Sequence, residues 1–308
     1  MRTQDKKIPI TILTGFLGAG KTSLLNKLIK SSDKKLALII NEFGELGIDG
    51  ELVCEAENQI LELNNGCLCC TVQGDLTKIL LQLYAKKDSF EQIVIETTGL
   101  ANPAPVAELI YFDPLINSKF YVDGIITVFD TLNAEHVLSS PEGLSQIVYA
   151  DKVLLSKLDK CDNFDPSQLS EINPLAVYER CDHGELVDLN ALLNLGGFNV
   201  DNLSSEIKTH LHSHMGSVSL SGEGELNNAC FRQWIGSVLF DMSDVVYRMK
   251  GIVNLSGVEG STIFQSVHRL FEDEKAEKDY GNENRVVFIG EGLNEDVLKK
   301  GFFTCFKE

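Results

Sequence analysis

The stretch Gly15-Phe-Leu-Gly-Ala-Gly-Lys-Thr22 decides the fold of this chain, because it matches the phosphate-binding loop Gly-x-x-x-x-Gly-Lys-Thr. The β-branched run from Ile8 to Thr14 before it predicts a buried strand. Apolar residues at helical spacing from Leu24 to Ile29 predict a helix after it. A strand, a glycine turn and a helix in this order are the context that the motif requires. The sequence therefore predicts a nucleotide-binding α/β domain built outward from this loop.

Each residue type of the loop has a part in binding a phosphate chain. Glycines let successive backbone N–H groups point at the phosphates, and the start of the following helix adds a positive dipole end. Lys21 is expected to reach the β- and γ-phosphates, and the Thr22 hydroxyl to ligate Mg²⁺. The alternative is a purely structural glycine turn. The candidate nucleotide-binding residues of the loop are Gly15, Gly18, Ala19, Gly20, Lys21, Thr22 and Ser23.

Strands and helices alternate along the first two thirds of the chain. Helical patterns, for example Leu76 to Tyr84 and Val106 to Tyr111, separate several apolar runs. This alternation predicts an α/β domain with a doubly wound, mostly parallel sheet over residues 1–196. The further predicted strands are Leu36 to Ile40, Ile93 to Ile95, Ile125 to Phe129 and Lys152 to Leu155.

The last third of the chain has a different pattern. Residues 197–226 are polar and irregular, which is typical of a linker. Residues 227–308 combine a helix around the single tryptophan, Trp234, with short strands and a second helix near 294–300. Strands grouped with helices at the ends predict a smaller α+β domain.

Glu96 follows the predicted strand Ile93 to Ile95, and so lies at the edge where open α/β sheets bind ligands. It can hold Mg²⁺ through water or orient the attacking water, and the Gly99 N–H can bond the γ-phosphate. A solvated loop carboxylate is the alternative. The candidate catalytic residues are Lys21, Thr22, Glu96 and Gly99.

Ser156-Lys-Leu-Asp159 closes another predicted strand and is similar to the guanine-reading loop Asn-Lys-x-Asp of GTPases. The Asp159 carboxylate can accept two hydrogen bonds from guanine, whereas adenine offers no such pair of donors on that edge. Ser156 in place of asparagine removes one amide that braces the backbone. Ser156, Lys157 and Asp159 are therefore candidate base-binding residues, with a chance charged turn as the alternative.

Three of the eight cysteines, Cys67, Cys69 and Cys70, fall within four residues. Thiolates this close make a soft site suited to Zn²⁺, with Co²⁺ and other transition metals as competitors. Glu42 can face this metal or Mg²⁺, because its loop and the cysteine loop leave the same edge of the sheet. Buried thiols without a metal and a redox pair are the alternatives. The other cysteines, expected to be small buried hydrophobes, are Cys54, Cys161, Cys181, Cys230 and Cys305.

Three of the six histidines, His210, His212 and His214, alternate along the predicted linker. In an extended chain their imidazoles share one face and can collect a divalent cation. They form a secondary candidate metal site, with solvated polar residues as the alternative.

Composition excludes several classes of protein. The 308 residues are 44% hydrophobic and 23% charged, which excludes a disordered, collagenous or coiled-coil chain. A net charge of -18 repels phosphates, so neither a nucleic acid nor an anionic membrane is expected as a partner. Without a long apolar window or a signal peptide, the chain is expected to be soluble and cytoplasmic.

A family resemblance rests on five segments: Gly-Phe-Leu-Gly-Ala-Gly-Lys-Thr at 15–22, Asn-Glu-Phe-Gly at 41–44, Gly-Cys-Leu-Cys-Cys at 66–70, Glu-Thr-Thr-Gly-Leu-Ala-Asn-Pro at 96–103 and Ser-Lys-Leu-Asp at 156–159. Together they resemble the CobW-type family of P-loop GTPases, in particular its YjiA-like branch. The Gly-Cys-x-Cys-Cys element is the family's hallmark and is highly specific. The resemblance covers nearly the whole chain, strongly to residue 160 and more loosely beyond.

The resemblance implies GTP hydrolysis, with Mg²⁺, coupled to delivery of a transition metal, most often zinc, to a client metalloprotein. It also covers relatives that insert cobalt for cobalamin synthesis or load nitrile hydratase with iron or cobalt. The expected assembly is a monomer or a weak homo-oligomer. Two rival hypotheses are a P-loop kinase of a small molecule with structural cysteines, and a metal buffer whose nucleotide site only stabilises the fold.

Overall fold

The computed structural model describes residues 7–40, 59–62, 72–161, 164–181, 188–196, 208–211 and 215–307, with the backbone alone at 59–62, 72–75 and 208–211. The chain divides into two compact units. The first unit takes residues up to 146 with 150–164 and 178–197, and the second takes 147–149, 165–177 and the chain from 198 onward.

The first unit contains a seven-stranded sheet in the order β3-β2-β4-β1-β5-β6-β7. The five pairs from β3 to β6 in this order are all parallel. The strands are β1 (Ile8–Gly15), β2 (Leu36–Ile40), β3 (Gln59–Glu62), β4 (Gln92–Glu96), β5 (Phe120–Asp130), β6 (Lys152–Ser156) and β7 (Val177–Cys181).

Helices alternate with these strands through most of the described part of the unit, so the predicted doubly wound α/β fold is confirmed. The first of them packs on the sheet through Leu24, Leu25 and Leu28, the residues whose helical spacing predicted it. The helices up to β7 are α1 (Lys21–Ser31), α2 (Val72–Tyr84), α3 (Ala104–Phe112), α4 (Pro114–Asn117), α5 (Ala134–Leu138), α6 (Pro141–Tyr149) and α7 (Ser167–Ile172).

The second unit contains a six-stranded antiparallel sheet in the order β12-β11-β10-β13-β9-β8. Its strands are β8 (Lys208–Leu211), β9 (Gly216–Glu223), β10 (Val246–Val253), β11 (Thr262–Val267), β12 (Leu270–Lys275) and β13 (Glu283–Gly290). With the helices α8 (Asn228–Asp241) and α9 (Glu295–Thr304) it forms the predicted α+β domain.

An aromatic core joins the two long helices of this unit to the sheet. The Trp234 ring centroid lies 5.8 Å from that of Phe288 on β13 and 5.9 Å from that of Phe302 on α9. Gly301 lies directly against the indole, where a Cβ atom would collide with it. The helices therefore approach each other closely because α9 has a glycine at that point. None of the helices in the described part of the chain is long and apolar enough to span a bilayer.

Part of the interval assigned to a linker, 197–226, is instead sheet. Residues 208–211 and 216–223 form β8 and β9, and β9 pairs along its length with β13. In β9 the apolar Val218 and Leu220 alternate with serines, and both are buried in the core of the unit. The expectation of an irregular segment was wrong there. Serine and glycine are typical of loops, and only two apolar residues show the alternation that indicates a strand.

The turn from β1 into α1 depends on three glycines with positive φ: Gly15 (+144°), Gly18 (+73°) and Gly20 (+105°). L-residues with side chains seldom adopt these angles. Gly15 also lies against the carbonyl of Val128 on β5, so there is no room for a Cβ atom. Around Gly18 and Gly20 the space within 4 Å of a Cβ atom is open. The phosphate-binding loop is therefore closely packed at its base, at Gly15, and surrounded by open space at Gly18 and Gly20.

We expect Gly15→Ala to lower the free energy of unfolding by about 2–4 kcal/mol, because its methyl group meets the Val128 carbonyl at an unfavourable φ. Gly18→Ala is the matched control, since it also strains φ but adds its methyl group to open space, and it should cost about 1 kcal/mol. Urea unfolding followed by circular dichroism measures both. Equal losses would contradict the packing argument.

Candidate functional site

The carboxyl edge of the parallel sheet brings the predicted nucleotide-binding segments together. Strands β4, β1, β5 and β6 are consecutive in the sheet, and all of them run in the same direction. The loop at 16–20 follows β1, Glu96 ends β4, and Ser156 ends β6. Residues far apart in the sequence therefore meet at one edge, which is where ligands bind in open α/β sheets.

Lys21 is folded back over the loop that precedes it. Its Nζ donates to the carbonyls of Gly15 at 2.7 Å and Phe16 at 3.2 Å, and the side chain is buried. Burial lowers the pKa of Lys21 below its usual 10.5, while the negative charge of Glu96 raises it in partial compensation. The loop thus holds a buried amine against its own carbonyls at the start of α1, where a polyphosphate would meet it.

Thr22 and Glu96 meet at the start of α1. The Thr22 hydroxyl lies 3.5 Å from Oε1 of Glu96, at the outer limit for a hydrogen bond, and the carboxylate is buried. A hydroxyl and a carboxylate are hard oxygen ligands of the kind that Mg²⁺ prefers. These two side chains therefore fit a Mg²⁺ ion bound with a nucleotide.

Gly99 brings the loop after β4 against the phosphate-binding loop. A Cβ atom on Gly99 would lie 2.7 Å from the backbone nitrogen of Leu17 and 2.6 Å from its Cδ2. The carbonyl of Gly99 accepts a hydrogen bond of 3.1 Å from the buried Gln146 side chain, which also donates to Ala101 at 3.2 Å. Gln146 was not singled out by sequence, and it holds this loop in place from α6.

Ser156 connects the candidate base-reading loop to the phosphate-binding loop. Its buried hydroxyl lies 2.8 Å from the carbonyl of Ala19 and 3.0 Å from that of Phe129, and its single proton is donated to one or the other. The amide that an asparagine would contribute is absent, but the serine hydroxyl braces the backbone in its place. Thr131 adds a second tie, because its hydroxyl donates to the Ser156 carbonyl at 2.7 Å.

Lys157 is held in an unusual conformation at the end of β6. Its φ is +61°, and its Nζ forms an ion pair of 2.6 Å with the buried Asp130. Asp130 also accepts from the Leu132 amide at 3.1 Å and from the Asn133 side chain at 2.7 Å. Asp130 was missed by sequence, although a polar residue at the end of an apolar strand was the available signal. Asp159 follows two residues later with its side chain exposed.

The predicted transition-metal ligands Glu42, Cys67, Cys69 and Cys70 lie outside the described residues, as do His212 and His214. His210 lies on β8, where its backbone is paired with Ser217. Among the side chains that the structure describes, no group of three or more histidine, cysteine or acidic residues is placed to hold a metal ion. The metal site therefore stays a prediction.

The strands that lead into the segments with the predicted metal ligands end at the same sheet edge as the candidate nucleotide site. Ile40, the last residue of β2, is in register with Glu62 at the end of β3 and with Glu96 at the end of β4. Glu42 comes two residues after β2, and the cysteine segment begins after β3. Both segments therefore start from the edge that carries Glu96.

The cysteines expected to be buried hydrophobes divide into two classes. Cys181 and Cys305 are buried, whereas Cys161 and Cys230 are half-buried, and none of these four described cysteines forms a disulfide. Cys54 lies outside the described residues.

Two family models match the chain. Residues 9–175 match the CobW/HypB/UreG nucleotide-binding domain, and residues 215–306 match the cobalamin synthesis protein CobW C-terminal domain. The first match covers the parallel sheet as far as β6, and the second covers the antiparallel sheet from β9 to β13.

Similar proteins align over most of their length. The zinc chaperone YjiA of Escherichia coli is 30% identical, over 96% of this chain and 98% of the relative. The zinc-regulated GTPase metalloprotein activator 1 of Schizosaccharomyces pombe is 34% identical, over 86% of this chain and 76% of the relative. The crystal structure of the Zn(II)-bound YjiA GTPase from E. coli superposes with a TM-score of 0.79 at 26% identity, over 98% of this chain and all of the other.

We expect the Lys21 amine to titrate below 10.5, and Glu96→Gln to lower its pKa further, because the substitution removes the carboxylate charge that favours the ammonium form. NMR titration of the lysine ¹³Cε and ¹⁵Nζ nuclei measures both values. Glu91→Gln, which changes an exposed carboxylate beside the amino end of the same strand, is the control and should leave Lys21 unchanged. An unchanged Lys21 pKa in Glu96→Gln would contradict the coupling.

Proposed function

The chain belongs to the CobW family, and from that premise we propose that it is a GTPase that carries a transition metal, zinc, to a client metalloprotein. The observation that carries the proposal is the shared sheet edge. The phosphate-binding loop, Glu96 and the two segments with the predicted metal ligands all start from it. A nucleotide and a metal bound at one edge can influence each other through the segments that leave that edge.

The residues around the β1–α1 turn bind the phosphates in this proposal. Lys21, already buried and held within the loop, exchanges its carbonyl partners for the β- and γ-phosphate oxygens. Thr22 and Glu96 would hold Mg²⁺, whose charge offsets that of the phosphates when it is bound. Glu96 either binds this ion through water or orients the attacking water, and the Gly99 N–H bonds the γ-phosphate.

Base recognition falls to the loop after β6. The exposed carboxylate of Asp159 accepts from the ring N–H and the amino group of guanine. Lys157 offers its alkyl stem to the base, while its ammonium group is held by Asp130. The Ser156 hydroxyl connects the loop after β6 to the phosphate-binding loop through the Ala19 carbonyl. These contacts support GTP over ATP as the substrate.

The metal is the cargo of this proposed activity. Cys67, Cys69 and Cys70 offer three soft ligands, and Glu42 or a ligand from the client takes the fourth position. Zinc is favoured over cobalt or iron because relatives across most of the chain are named for zinc. His210, His212 and His214 form a weaker secondary site.

Coupling requires that GTP and GDP differ in their contacts with the metal-binding segments. In the proposed cycle, loss of the γ-phosphate changes the segment after Ile40, which carries Glu42. The change in metal ligands then favours transfer to the client. Net charge of -18 complements a client with a basic surface.

We expect the protein to hydrolyse GTP and the substitution Lys21→Ala to lower the rate about 100-fold or more, because the phosphates lose the buried ammonium group. Asp159→Asn should weaken GTP binding by about tenfold to 100-fold and favour xanthosine triphosphate, whose C2 carbonyl accepts from the new amide. Phosphate release and nucleotide titrations measure both effects.

Asp88→Asn, at an exposed aspartate after α2, is the control for the base-reading variant and should leave the nucleotide preference unchanged. Nucleotide turnover that requires a small-molecule acceptor would instead support the kinase hypothesis. Nucleotide binding without any hydrolysis would support the hypothesis of a metal buffer.

We expect Cys67→Ser, Cys69→Ser and Cys70→Ser together to lower the zinc affinity of anaerobically purified protein by more than about 100-fold, because hydroxyls replace the soft ligands. A double replacement of Cys161 and Cys230 by serine is the matched control and should leave the affinity unchanged. Competition with a chromophoric chelator measures the zinc affinity of each protein. The titrations are run with a non-hydrolysable GTP analogue and with GDP, and equal affinities in the two states would overturn the coupling.

A further inference from the structure

Two cysteines of the second unit lie side by side where α8 begins and α9 ends. Cys230 is in the first turn of α8, and Cys305 directly follows α9. Their Sγ atoms are 3.2 Å apart, and both are free thiols. Neither belongs to the candidate nucleotide site or to the three-cysteine motif. The pair therefore has no part in the function proposed above.

The backbone holds this pair together independently of the sulfur atoms. The Asn227 amide donates to the Cys305 carbonyl at 2.7 Å, and the Asn227 side chain accepts from the Cys230 amide at 3.0 Å. One step further along, the Lys307 amide donates to the Glu225 carbonyl at 3.1 Å, and the two side chains form an ion pair of 2.6 Å. These bonds bring the two side chains together whatever the state of the thiols.

The two sulfur atoms are close enough to form a disulfide after a small movement. A disulfide needs its sulfur atoms about 2.05 Å apart, so the pair has roughly 1 Å to close. Side-chain rotation supplies such a movement at Cys230, which is half-buried at the surface of the unit. The bond would replace the present contact without breaking the backbone bonds around it.

The two thiols are not equivalent. Cys305 is fully buried, and burial together with the neighbouring Cys230 raises the pKa of its thiol to about 12. It keeps its proton at neutral pH and is shielded from solvent. Cys230 is the more exposed of the two and is the sulfur that a dissolved oxidant reaches first.

We propose that Cys230 and Cys305 are a redox-modification site, a dithiol that a hydroperoxide converts into a disulfide. The Cys230 sulfur attacks one peroxide oxygen, an S–O bond forms as the O–O bond breaks, and one water leaves with the thiol proton. The Cys305 sulfur then displaces the hydroxyl of the sulfenic acid, which leaves with the second proton as water. The two sulfurs together lose two electrons, and one hydrogen peroxide becomes two waters.

The disulfide would fasten the C-terminal helix to the rest of the second unit. It closes a loop from residue 230 to residue 305, which contains β10 to β13 and α9. Closing so long a loop restricts the unfolded chain and stabilises the folded one. The redox state would thus set the stability of this unit without any change to the phosphate-binding loop.

Trypsin separates the two cysteines into peptides 209–232 and 301–307, each with a single cysteine. The test uses the full chain with Cys67, Cys69 and Cys70 replaced by serine, so that the reactive cluster does not compete. After treatment with hydrogen peroxide, we expect these two peptides joined, at their summed mass less two hydrogen atoms, and separated again by dithiothreitol. The midpoint of thermal unfolding should rise by several degrees on oxidation and return on reduction.

Cys230→Ser in the same background should abolish both the joined peptide and the rise in the midpoint, and Cys305→Ala provides the same test from the other side. Cys161→Ser, which removes a half-buried cysteine of the first unit, is the matched control and should change neither. Recovery of the two peptides as free thiols, or of Cys230 as a sulfinic acid beside a reduced Cys305, would overturn the proposal.

Discussion

Three glycines with positive φ allow the chain to turn from a buried strand into a helix across residues 16–20, and the rest of the site supports that turn. Lys21 fills the turn from inside by donating to two of its carbonyls. The Ser156 hydroxyl at the end of β6 lies 2.8 Å from the carbonyl of Ala19, and Gly99 in the loop after β4 lies against Leu17. Backbone groups that must face a phosphate cannot bond one another, so neighbouring strands have to hold the loop.

The proposed function places a hard and a soft metal site at one sheet edge, and ligand chemistry keeps them apart. Thr22 and Glu96 offer oxygen atoms, which suit Mg²⁺, whereas the motif at 66–70 offers thiolates, which suit zinc. Mg²⁺ requires hard oxygen ligands, so the thiolates would not compete with the nucleotide site for it. In that proposal the path between them starts at the strand ends, where Ile40 is in register with Glu62 and Glu96.

Much of the fold could be predicted from periodicity, because buried strands and amphipathic helices have different apolar spacings. The strands at 36–40 and 152–156 and the leucines of α1 are examples. The strand β9 was missed because its serines read as a loop, although Val218 and Leu220 alternate on its buried face. Pairing with β8 on one side and with β13, about seventy residues away, on the other makes that weak alternation a strand.

The sequence by itself determined which chemical groups the chain offers, namely a phosphate-binding motif, a carboxylate at Glu96, a candidate base-reading segment and a cluster of thiols, since each is a local pattern of residue types. The tertiary structure decided which atoms meet. It brings the Ser156 hydroxyl to the Ala19 carbonyl, Asp130 to Lys157, and Cys230 to Cys305. These contacts join residues 27 to 137 positions apart, and no local pattern encodes them, because strand order and helix packing arise only when the whole core is buried.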